Sequence, residues 1–440
     1  NGNIFNQKLN STNIHNVNLS GITGTFTTKS VVTLNNEEFI NNGIVNLEDT
    51  SEFTNKGTFK NDSYGIVTNK NVFINDSIVT NKNQITVSKD TFFYNNNTLT
   101  NDSILINIGN LNNKNTTGVI NNNRTLDLII NSILDNYGTI TLNSNGVIKS
   151  LGKLNNIKTS NSINATLDIY GNYFNNMLNG DSGTIVNSGN FTVKTTGLIT
   201  NVGYITNSGN FKNYNIVNTT GLIRNEIGGV YNDYLTLNNN TSGNIINKGD
   251  MIFDMATTFS NYSTITNDSS LICNGTMKQF KTGVFTNNNY YQIVNTLKNY
   301  GSIYNNKTFD ASDSYLFENY NLISNSSTGV FNTYFGIVNK KENATNTDSV
   351  DLTGITGHIL NNGTVINKLR QFQNNGLITN NNNFTNKDSV TISSTGVFIN
   401  NNTITNDSMI TNNGTVYNYS TKTITNNRTI TNNAVFNNSG

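Results

Sequence analysis

The sequence lacks the residues that mark most other classes of protein: it has no proline, no tryptophan, one cysteine and two histidines. The single cysteine, Cys273, excludes an intramolecular disulfide and is predicted to be a small buried apolar side chain. Alanine occurs five times, and Arg, Glu and Met are scarce, so the better helix formers are largely missing.

Charge and long apolar runs are scarce as well. Only 12% of the residues are charged and the formal net charge is +1, so the basic face of a nucleic-acid-binding protein is not expected. No apolar run approaches the ~18 residues needed to span a bilayer as a helix. We therefore expect neither a nucleic-acid partner nor a membrane span.

Asparagine and threonine dominate what is present. The 440 residues include 98 Asn and 61 Thr, which together exceed a third of the chain. Ile, Val, Thr, Phe and Tyr are plentiful, and these types favour strands. A polar sequence of low complexity also raises the question of disorder, but 10% aromatics, the absence of proline and regularly spaced apolar residues favour an ordered all-β chain.

A short unit of six or seven residues, apolar–x–Asn–x–(Gly/Asn)–x, recurs along the chain. Its length fits one short strand and one corner. Positions i and i+2 of a strand share a face, so the apolar residue and the Asn point inward and the residue between them points outward. Inward asparagines are expected to stack their amides from coil to coil. In the C-terminal part these are Asn361, Asn367, Asn380, Asn386, Asn400, Asn406, Asn412, Asn426 and Asn432.

A longer repeat, Gly–apolar–apolar–x–Asn, recurs at steps of one or two multiples of about 21–23 residues. It predicts a coil of about 22 residues with three strand-and-corner units. The fold class is then a single-domain, three-faced parallel β-helix (β-solenoid) of about 20 coils over residues 1–440, with residues 1–30 as an atypical N-terminal coil or assembly segment. Irregular corners and coils longer than 18 residues favour a right-handed helix over a left-handed one.

Glycine and asparagine are expected to supply left-handed backbone angles at the corners. The predicted corner glycines are Gly118, Gly197, Gly221, Gly243, Gly283, Gly329, Gly354, Gly376 and Gly396.

These repetitive runs, such as ITNNRT near the C-terminus, resemble the Asn/Thr-rich β-helical stalks of bacterial adhesins and autotransporter passengers, and of viral fibres. The resemblance covers nearly the whole chain but is generic, and it carries over no functional residue. It implies a surface fibre or adhesin located outside the cell, on the cell surface or on a virion.

Side chains for catalysis or metal binding are few. His15 and His358 are far apart and are predicted to be surface or corner residues. β-Helical lyases and hydrolases need several acids beside Arg or Lys on one face, and the best acidic cluster is Asp310, Asp313 and Glu318. We interpret it, like Glu48, Asp49 and Glu52, as exposed acids. The Asn-Asp-Ser units, with Asp62, Asp76, Asp102, Asp268 and Asp407, are interpreted as Asx-type corners. The prediction is no enzyme, no cofactor and no metal.

Asn-x-Ser/Thr motifs are abundant, and Asn274, Asn362, Asn413 and Asn427 are candidate N-glycosylation sites. Outward Thr-x-Thr pairs also occur, at Thr98 and Thr100, Thr139 and Thr141, Thr264 and Thr266, Thr403 and Thr405, and Thr423 and Thr425. An ice-binding face would need such pairs on every coil.

The function predicted is a structural subunit of an extracellular homopolymeric fibre, filament or sheath that assembles by end-to-end stacking of coils. The repeat runs from the first residues to the last without a helical or charged cap, and an uncapped coil is an open edge. The predicted partners are the protein itself and surface glycans. The alternative is the stalk of a surface adhesin or viral fibre, followed by a carbohydrate-active β-helix enzyme and an ice-binding protein.

Overall fold

The computed structural model describes residues 4–6, 11–12, 18–19, 24–36, 38–114, 117–157, 166–169, 171–175, 177–178, 181–311, 316–334, 336–341 and 356–439. Within these ranges every regular element is a β-strand and none is a helix, which confirms the all-β prediction. The chain divides into two compact units, Asn1–Leu222 and Ile223–Gly440. That one continuous solenoid spans residues 1–440 stays a prediction.

Each unit is a three-faced parallel β-solenoid whose faces we call sheets A, B and C in chain order. In the first unit, sheet A contains Ile4–Asn6, Thr25–Thr28, Ile44–Leu47, Ile66–Asn69, Gln84–Val87, Ile104–Asn107, Thr125–Leu128, Val147–Ser150, Asn172–Asn175, Leu198–Asn201 and Ile216–Thr219. Sheet B contains Ser11–Thr12, Val31–Leu34, Glu52–Asn55, Val72–Asn75, Phe92–Asn95, Asn110–Asn113, Ile133–Asn136, Lys153–Asn156, Thr184–Asn187 and Tyr204–Asn207. Sheet C contains Asn18–Leu19, Glu38–Asn41, Thr58–Asn61, Ile78–Asn81, Thr98–Asn101, Val119–Asn122, Thr139–Leu142, Thr166–Ile169, Asn190–Val193 and Asn210–Asn213. A small antiparallel hairpin joins Met177–Leu178 to Asp181–Ser182.

The second unit repeats the arrangement. Sheet A contains Thr236–Asn239, Thr258–Asn261, Thr276–Gln279, Thr296–Asn299, Leu316–Asn319, Ile337–Asn339, Phe372–Asn374, Ser389–Ile392, Met409–Asn412 and Thr429–Asn432. Sheet B contains Asn244–Asn247, Thr264–Asn267, Val284–Asn287, Ser302–Asn305, Leu322–Asn325, His358–Asn361, Leu377–Asn380, Val397–Asn400, Thr415–Asn418 and Val435–Asn438. Sheet C contains Val230–Asp233, Asp250–Phe253, Ser270–Cys273, Tyr290–Ile293, Thr308–Ala311, Val330–Thr333, Thr364–Asn367, Asn383–Asn386, Thr403–Asn406 and Thr423–Asn426. The strand Leu222–Asn225 contains the boundary between the units.

The commonest coil has 20 residues, so the predicted coil of about 22 is slightly too long. Three strands of four residues, two corners of two residues and one corner of four residues make up such a coil, and Glu52, Val72 and Phe92 pair at this spacing. Where every corner has two residues the step is 18, as from Phe92 to Asn110. The two units together contain about 19 turns.

Strict alternation along each strand builds the interior. The second and fourth residues of a strand point inward and are buried, whereas the first and third are partly exposed. The second position is apolar and stacks on its equivalent in the next coil: the rings of Phe73 and Phe93 are 4.6 Å apart, and those of Phe309 and Phe331 4.7 Å apart. One coil cannot bury its own apolar side chains, so stacking between coils creates the core.

The predicted corner glycines do lie at corners, but their backbone explanation is wrong. Among the glycines that the structure describes, only Gly228 has a φ in the left-handed range, +81°. The glycines are needed because the corner lies against the neighbouring coil: a Cβ on Gly197 would overlap the carbonyl oxygen of Ile169, and one on Gly396 would overlap that of Asn374.

These glycines also do not share one edge of the solenoid. Gly243, Gly283, Gly376 and Gly396 precede strands of sheet B, Gly118 and Gly329 strands of sheet C, Gly197 a strand of sheet A, and Gly221 the strand Leu222–Asn225. Most of them close four-residue corners, and the position of that wide corner changes from coil to coil, so their spacing overestimates the coil. Gly354 lies outside the described residues.

Candidate functional site: the asparagine ladders and the coil 423–438

A continuous asparagine ladder runs inside sheet B of the second unit. At the fourth position of successive strands, each Nδ2 donates to the Oδ1 of the next Asn over 2.7–2.9 Å. The members are Asn225, Asn247, Asn267, Asn287, Asn305, Asn325, Asn361, Asn380, Asn400, Asn418 and Asn438. The prediction that inward asparagines stack their amides from coil to coil is thus confirmed.

Sheet B of the first unit carries an equivalent ladder, with bonds of 2.7–2.8 Å. Its members are Asn55, Asn75, Asn95, Asn113, Asn136, Asn156, Asn187 and Asn207. The ladder survives an insertion, because Asn156 and Asn187 are 31 residues apart and still bond over 2.8 Å. The longer connection does not shift the interior register.

Each ladder amide also makes hydrogen bonds to backbone carbonyl oxygens outside the ladder. The Nδ2 of Asn380 donates to Asn400 Oδ1 at 2.8 Å and lies 2.9 Å from the carbonyl oxygens of Asn382 and Thr403, while its Oδ1 accepts from Asn361. An unpartnered buried amide is costly. The ladder therefore ties the corner, the strand and the next coil together.

The ladders have one direction. Every ladder bond between asparagines named above is donated by the residue earlier in the chain to the one later in the chain. The first acceptor of a run therefore receives no ladder bond: Asn299 Oδ1 has no partner among the described residues, and Asn55 Oδ1 accepts from Gly57 N–H of its own corner. The end of a ladder that faces higher residue numbers therefore presents amide donors.

The predicted inward asparagines fall on all three sheets: Asn361, Asn380 and Asn400 on sheet B, Asn367, Asn386, Asn406 and Asn426 on sheet C, and Asn412 and Asn432 on sheet A. Asn374 and Asn418, which follow the same apolar–x–Asn pattern, are ladder members as well. The same pattern also marks the ladders earlier in the chain.

In sheet C of the second unit the fourth position is often not Asn. It is occupied by Asp233, Phe253, Cys273, Ile293 and Ala311, all buried. The prediction that Cys273 is a small buried side chain is confirmed, and burial raises the pKa of its thiol to about 12. Only the strand register shows that these residues replace ladder asparagines.

The coil formed by Thr423–Asn426, Thr429–Asn432 and Val435–Asn438, which we call the end coil, has an accessible interior face. Its inward Ile424, Ile430 and Phe436 are partly accessible, and they line a depression of about 390 Å³. Their equivalents in covered coils, such as Ile265, are fully buried.

The inward asparagines of the end coil keep only part of their bonds. Asn406, one coil earlier, has its Nδ2 at 2.7 Å from Asn426 Oδ1 and also bonds the carbonyl oxygens of Ser408 and Thr429. The Nδ2 of Asn426 donates to the carbonyl oxygen of Arg428 at 3.0 Å. It has no following amide among the residues that the structure describes. This face is apolar at its centre and offers amide donors around it.

Asp310 and Glu318, the two described members of the best acidic cluster, lie on different sheets. Asp310 lies on sheet C, where Asn332 Nδ2 donates to it over 2.6 Å, whereas Glu318 lies on sheet A and pairs with Lys340 at 2.6 Å. Asp313 lies outside the described residues. In the other cluster, Glu48 pairs with Lys70 at 3.1 Å. No group of three or more potential metal ligands occurs in the part of the chain that the structure describes.

One histidine can be placed. His358 is half-buried on sheet B with its Nε2 3.1 Å from Thr379 Oγ1, and burial lowers its pKa. His15 lies outside the described residues.

The Asn-Asp-Ser corner at residues 75–77 is of the Asx type, and its turn residue is the inward Asn and not the Asp. Ser77 N–H donates to Oδ1 of the inward Asn75 at 3.3 Å. The carboxylate of Asp76 accepts from Asn96 Nδ2 of the next coil at 2.6 Å. Asp102, Asp268 and Asp407 accept in the same way. Each of these carboxylates thus begins a short column of hydrogen-bonded side chains on the outside of the corner, which we call an outer corner ladder. Asp62 pairs with Lys82.

The candidate glycosylation sites occupy this outer corner position. Asn413 and Asn427 are exposed, while Asn274 and Asn362 are half-buried. Asn427 Nδ2 donates to Asp407 at 2.7 Å, and Asn413 Oδ1 accepts from Asn433 at 2.8 Å.

Outward threonine pairs form a small array near the end coil. Thr403 and Thr405 pair with Thr423 and Thr425. Elsewhere the array is mixed, since Thr98 pairs with Ile78.

Comparison with known proteins gives no assignment: no protein-family model matches the chain, and no curated protein is significantly similar to it. Across the residues that the structure describes, no helix has the length and apolar character needed to cross a membrane. The chain is therefore characterised by its architecture, an Asn- and Thr-rich β-solenoid with internal amide ladders.

Proposed function

We propose that the chain is a structural subunit of an extracellular homopolymeric fibre, filament or sheath in which solenoids stack end to end. The observation that carries the proposal is that the coils are alike: the end coil, with inward Ile424, Ile430 and Phe436, has the same inward pattern as the coils that stack on one another. A second copy of the chain fits this face, because its coils carry the same columns of apolar side chains and amides.

The direction of the ladders supports a polar assembly. The end coil offers Nδ2 donors, so a matching surface must offer amide or backbone oxygens. Two copies that met through their end coils would bring donors against donors. Stacking is therefore head to tail, and a head-to-tail contact that does not close into a ring produces an open fibre.

Strands at the other end of the chain offer a backbone edge for this contact. Ile4–Asn6, Ser11–Thr12 and Asn18–Leu19 each pair in parallel with a strand of the following coil. On their other side none has a strand partner among the described residues. Such an edge pairs readily with another parallel strand.

Negative-stain microscopy and sedimentation of the purified chain test the proposal. We expect long fibres of uniform width from the wild type, and dispersed particles from Ile430→Asp, which places a charge on the stacking face. Thr431→Asp is the matched control, since Thr431 is the next residue of the same strand and points outward. It should still form fibres.

Two results would contradict the proposal. One is a wild type that stays dispersed at about 100 μM, which would favour the stalk of an adhesin instead. The other is fibre formation by both Ile430→Asp and a second charged variant, Phe436→Asp. Circular dichroism of each variant distinguishes a folded protein that cannot stack from a protein that has lost its fold.

The extracellular location has a separate test. Asn413 and Asn427 lie in acceptor motifs and are exposed, so glycopeptide mass spectrometry of material from the native source should find glycan on them if the source glycosylates asparagine. Recovery of the chain only from the soluble intracellular fraction would contradict this part of the proposal.

A further inference from the structure

Four corners of the solenoid contain Asn-Asn-Gly, and in each the second Asn precedes Gly. They are residues 41–43, 361–363, 374–376 and 412–414. An Asn-Gly pair is prone to lose its side-chain amide, because the unhindered Gly nitrogen attacks the Asn Cγ. Ammonia leaves, a succinimide forms, and water opens it to aspartate or isoaspartate. A protein with so many such pairs needs a feature that keeps them intact.

The first Asn of each motif binds the attacking nitrogen. Gly43 N–H donates to Asn41 Oδ1 at 3.0 Å, and the equivalent bonds at Gly363, Gly376 and Gly414 measure 3.1, 3.3 and 3.0 Å. All four acceptors are buried inward asparagines. The Gly nitrogen must lose this proton and turn toward the neighbouring side chain before it can attack, and the hydrogen bond opposes both changes, as it does in amide hydrogen exchange.

The second Asn is also held. Asn362 Oδ1 accepts from Asn381 Nδ2, and Asn413 Oδ1 accepts from Asn433 Nδ2, each at 2.8 Å. These bonds keep the carboxamide along the outer corner ladder. In these two corners both reacting groups are therefore held, the Gly nitrogen by the inward Asn of its own coil and the carboxamide by the next coil.

One described corner of the same two-residue type lacks this arrangement. At Asn274–Gly275 the inward residue is Cys273, and the backbone of Gly275 bonds its sulfur. Sulfur is a weak acceptor compared with an amide oxygen. The Asn274 side chain is half-buried at the outer corner, as in the other motifs.

We propose that the inward asparagine of each Asn-Asn-Gly corner protects the following Asn-Gly pair from deamidation, and that Asn274 deamidates faster than Asn362 and Asn413 in the native fold. The inward asparagines then have a second role besides joining coils: they preserve the chemical integrity of the corners over the lifetime of the assembly.

The experiment incubates native protein from a host without N-glycosylation at pH 7.5 and 37 °C, and follows each corner by peptide mass spectrometry. We expect Asn274 to deamidate about fivefold faster than Asn362 and Asn413, the ratio that one hydrogen bond of ordinary strength gives. Equal rates at the three sites in the wild type would overturn the proposal without any variant.

Reciprocal substitutions isolate the cause. Asn361→Cys should accelerate deamidation of Asn362 about fivefold while leaving Asn413 unchanged, and Cys273→Asn should slow that of Asn274. Thermal melts and hydrogen exchange establish that each variant keeps its fold. If Asn362 deamidates at the wild-type rate in folded Asn361→Cys, the inward amide gives no protection and the proposal is wrong.

Discussion

The Nδ2 of Asn325 lies 2.9 Å from the Oδ1 of Asn361, although the two residues are 36 positions apart. A typical ladder step is 20 residues, as from Asn305 to Asn325. The ladder continues across this longer step with unchanged hydrogen-bond geometry. The interior ladder is thus independent of how many residues separate successive strands of a sheet.

Removal of one interior ladder amide should open the solenoid locally. In Asn325→Ala, Asn305 Nδ2 loses its ladder acceptor and Asn361 Oδ1 loses the donor above it, with a cost of about 3 kcal/mol in local stability. Hydrogen exchange of peptides covering 322–333 measures it. Ser324→Ala, which changes the outward neighbour, should stay within about 0.5 kcal/mol of the wild type. Equal protection in the two variants would contradict the structural role of the ladder.

A methyl group added at a crowded corner glycine should lower the stability of the fold more than a larger side chain added at a glycine that has a left-handed backbone and no close neighbours. In Gly396→Ala the Cβ would meet the carbonyl oxygen of Asn374, so we expect a loss of about 2 kcal/mol or more. Gly228 has φ +81°, and a Cβ added there would have no atom within 4 Å. Gly228→Asn should therefore cost under about 1 kcal/mol. Thermal midpoints compare the two, and a larger loss at Gly228 would show that backbone conformation governs the corners.

His358 should make the second unit sensitive to mild acid. Burial lowers its pKa in the fold below the ordinary histidine value of 6.5. The unfolded chain then binds the proton more tightly, so this contribution to stability is complete above pH 6.5 and is lost as pH falls through the folded pKa. The thermal midpoint of the wild type should fall more between about pH 7 and about pH 5 than that of His358→Gln. Parallel pH profiles would contradict the prediction.

Cys273 should report on opening of the second unit. Its thiol is fully buried with a pKa raised to about 12, so at about pH 8 we expect modification by a thiol reagent to be about a thousandfold slower in native than in urea-unfolded protein. A surface thiol, introduced as Lys281→Cys in a Cys273→Ser background, is the control and should react rapidly in both states. Fast native labelling of Cys273 would place it outside the interior.

Much of the architecture was predictable because it depends on residues that are close together in the sequence. The apolar–x–Asn spacing indicates which residues share a face, and Asn361, Asn380 and Asn400 lie inside as a stacked ladder. The coil length was overestimated, since it depends on the summed length of three corners. The glycine spacing could not give that length, because the four-residue corner moves from one edge to another.

Site residues distant in sequence were less predictable. Asp310 and Glu318 are eight residues apart, yet they face outward from different sheets because the chain passes from sheet C to sheet A between them. Cys273 shares its position in the coil with the ladder asparagines, which becomes visible only once Phe253 and Ile293 are paired on either side of it.

The amino-acid sequence by itself determined that this chain is all-β, which side chains point inward, and that amides stack between coils, because alternation and repetition are properties of short segments. The tertiary structure alone decided which strand lies on which, where each ladder runs or is interrupted, and which corners crowd a glycine. Those features depend on the register between residues about 20 positions apart, and that register emerges only when a complete coil closes and packs against the one before it.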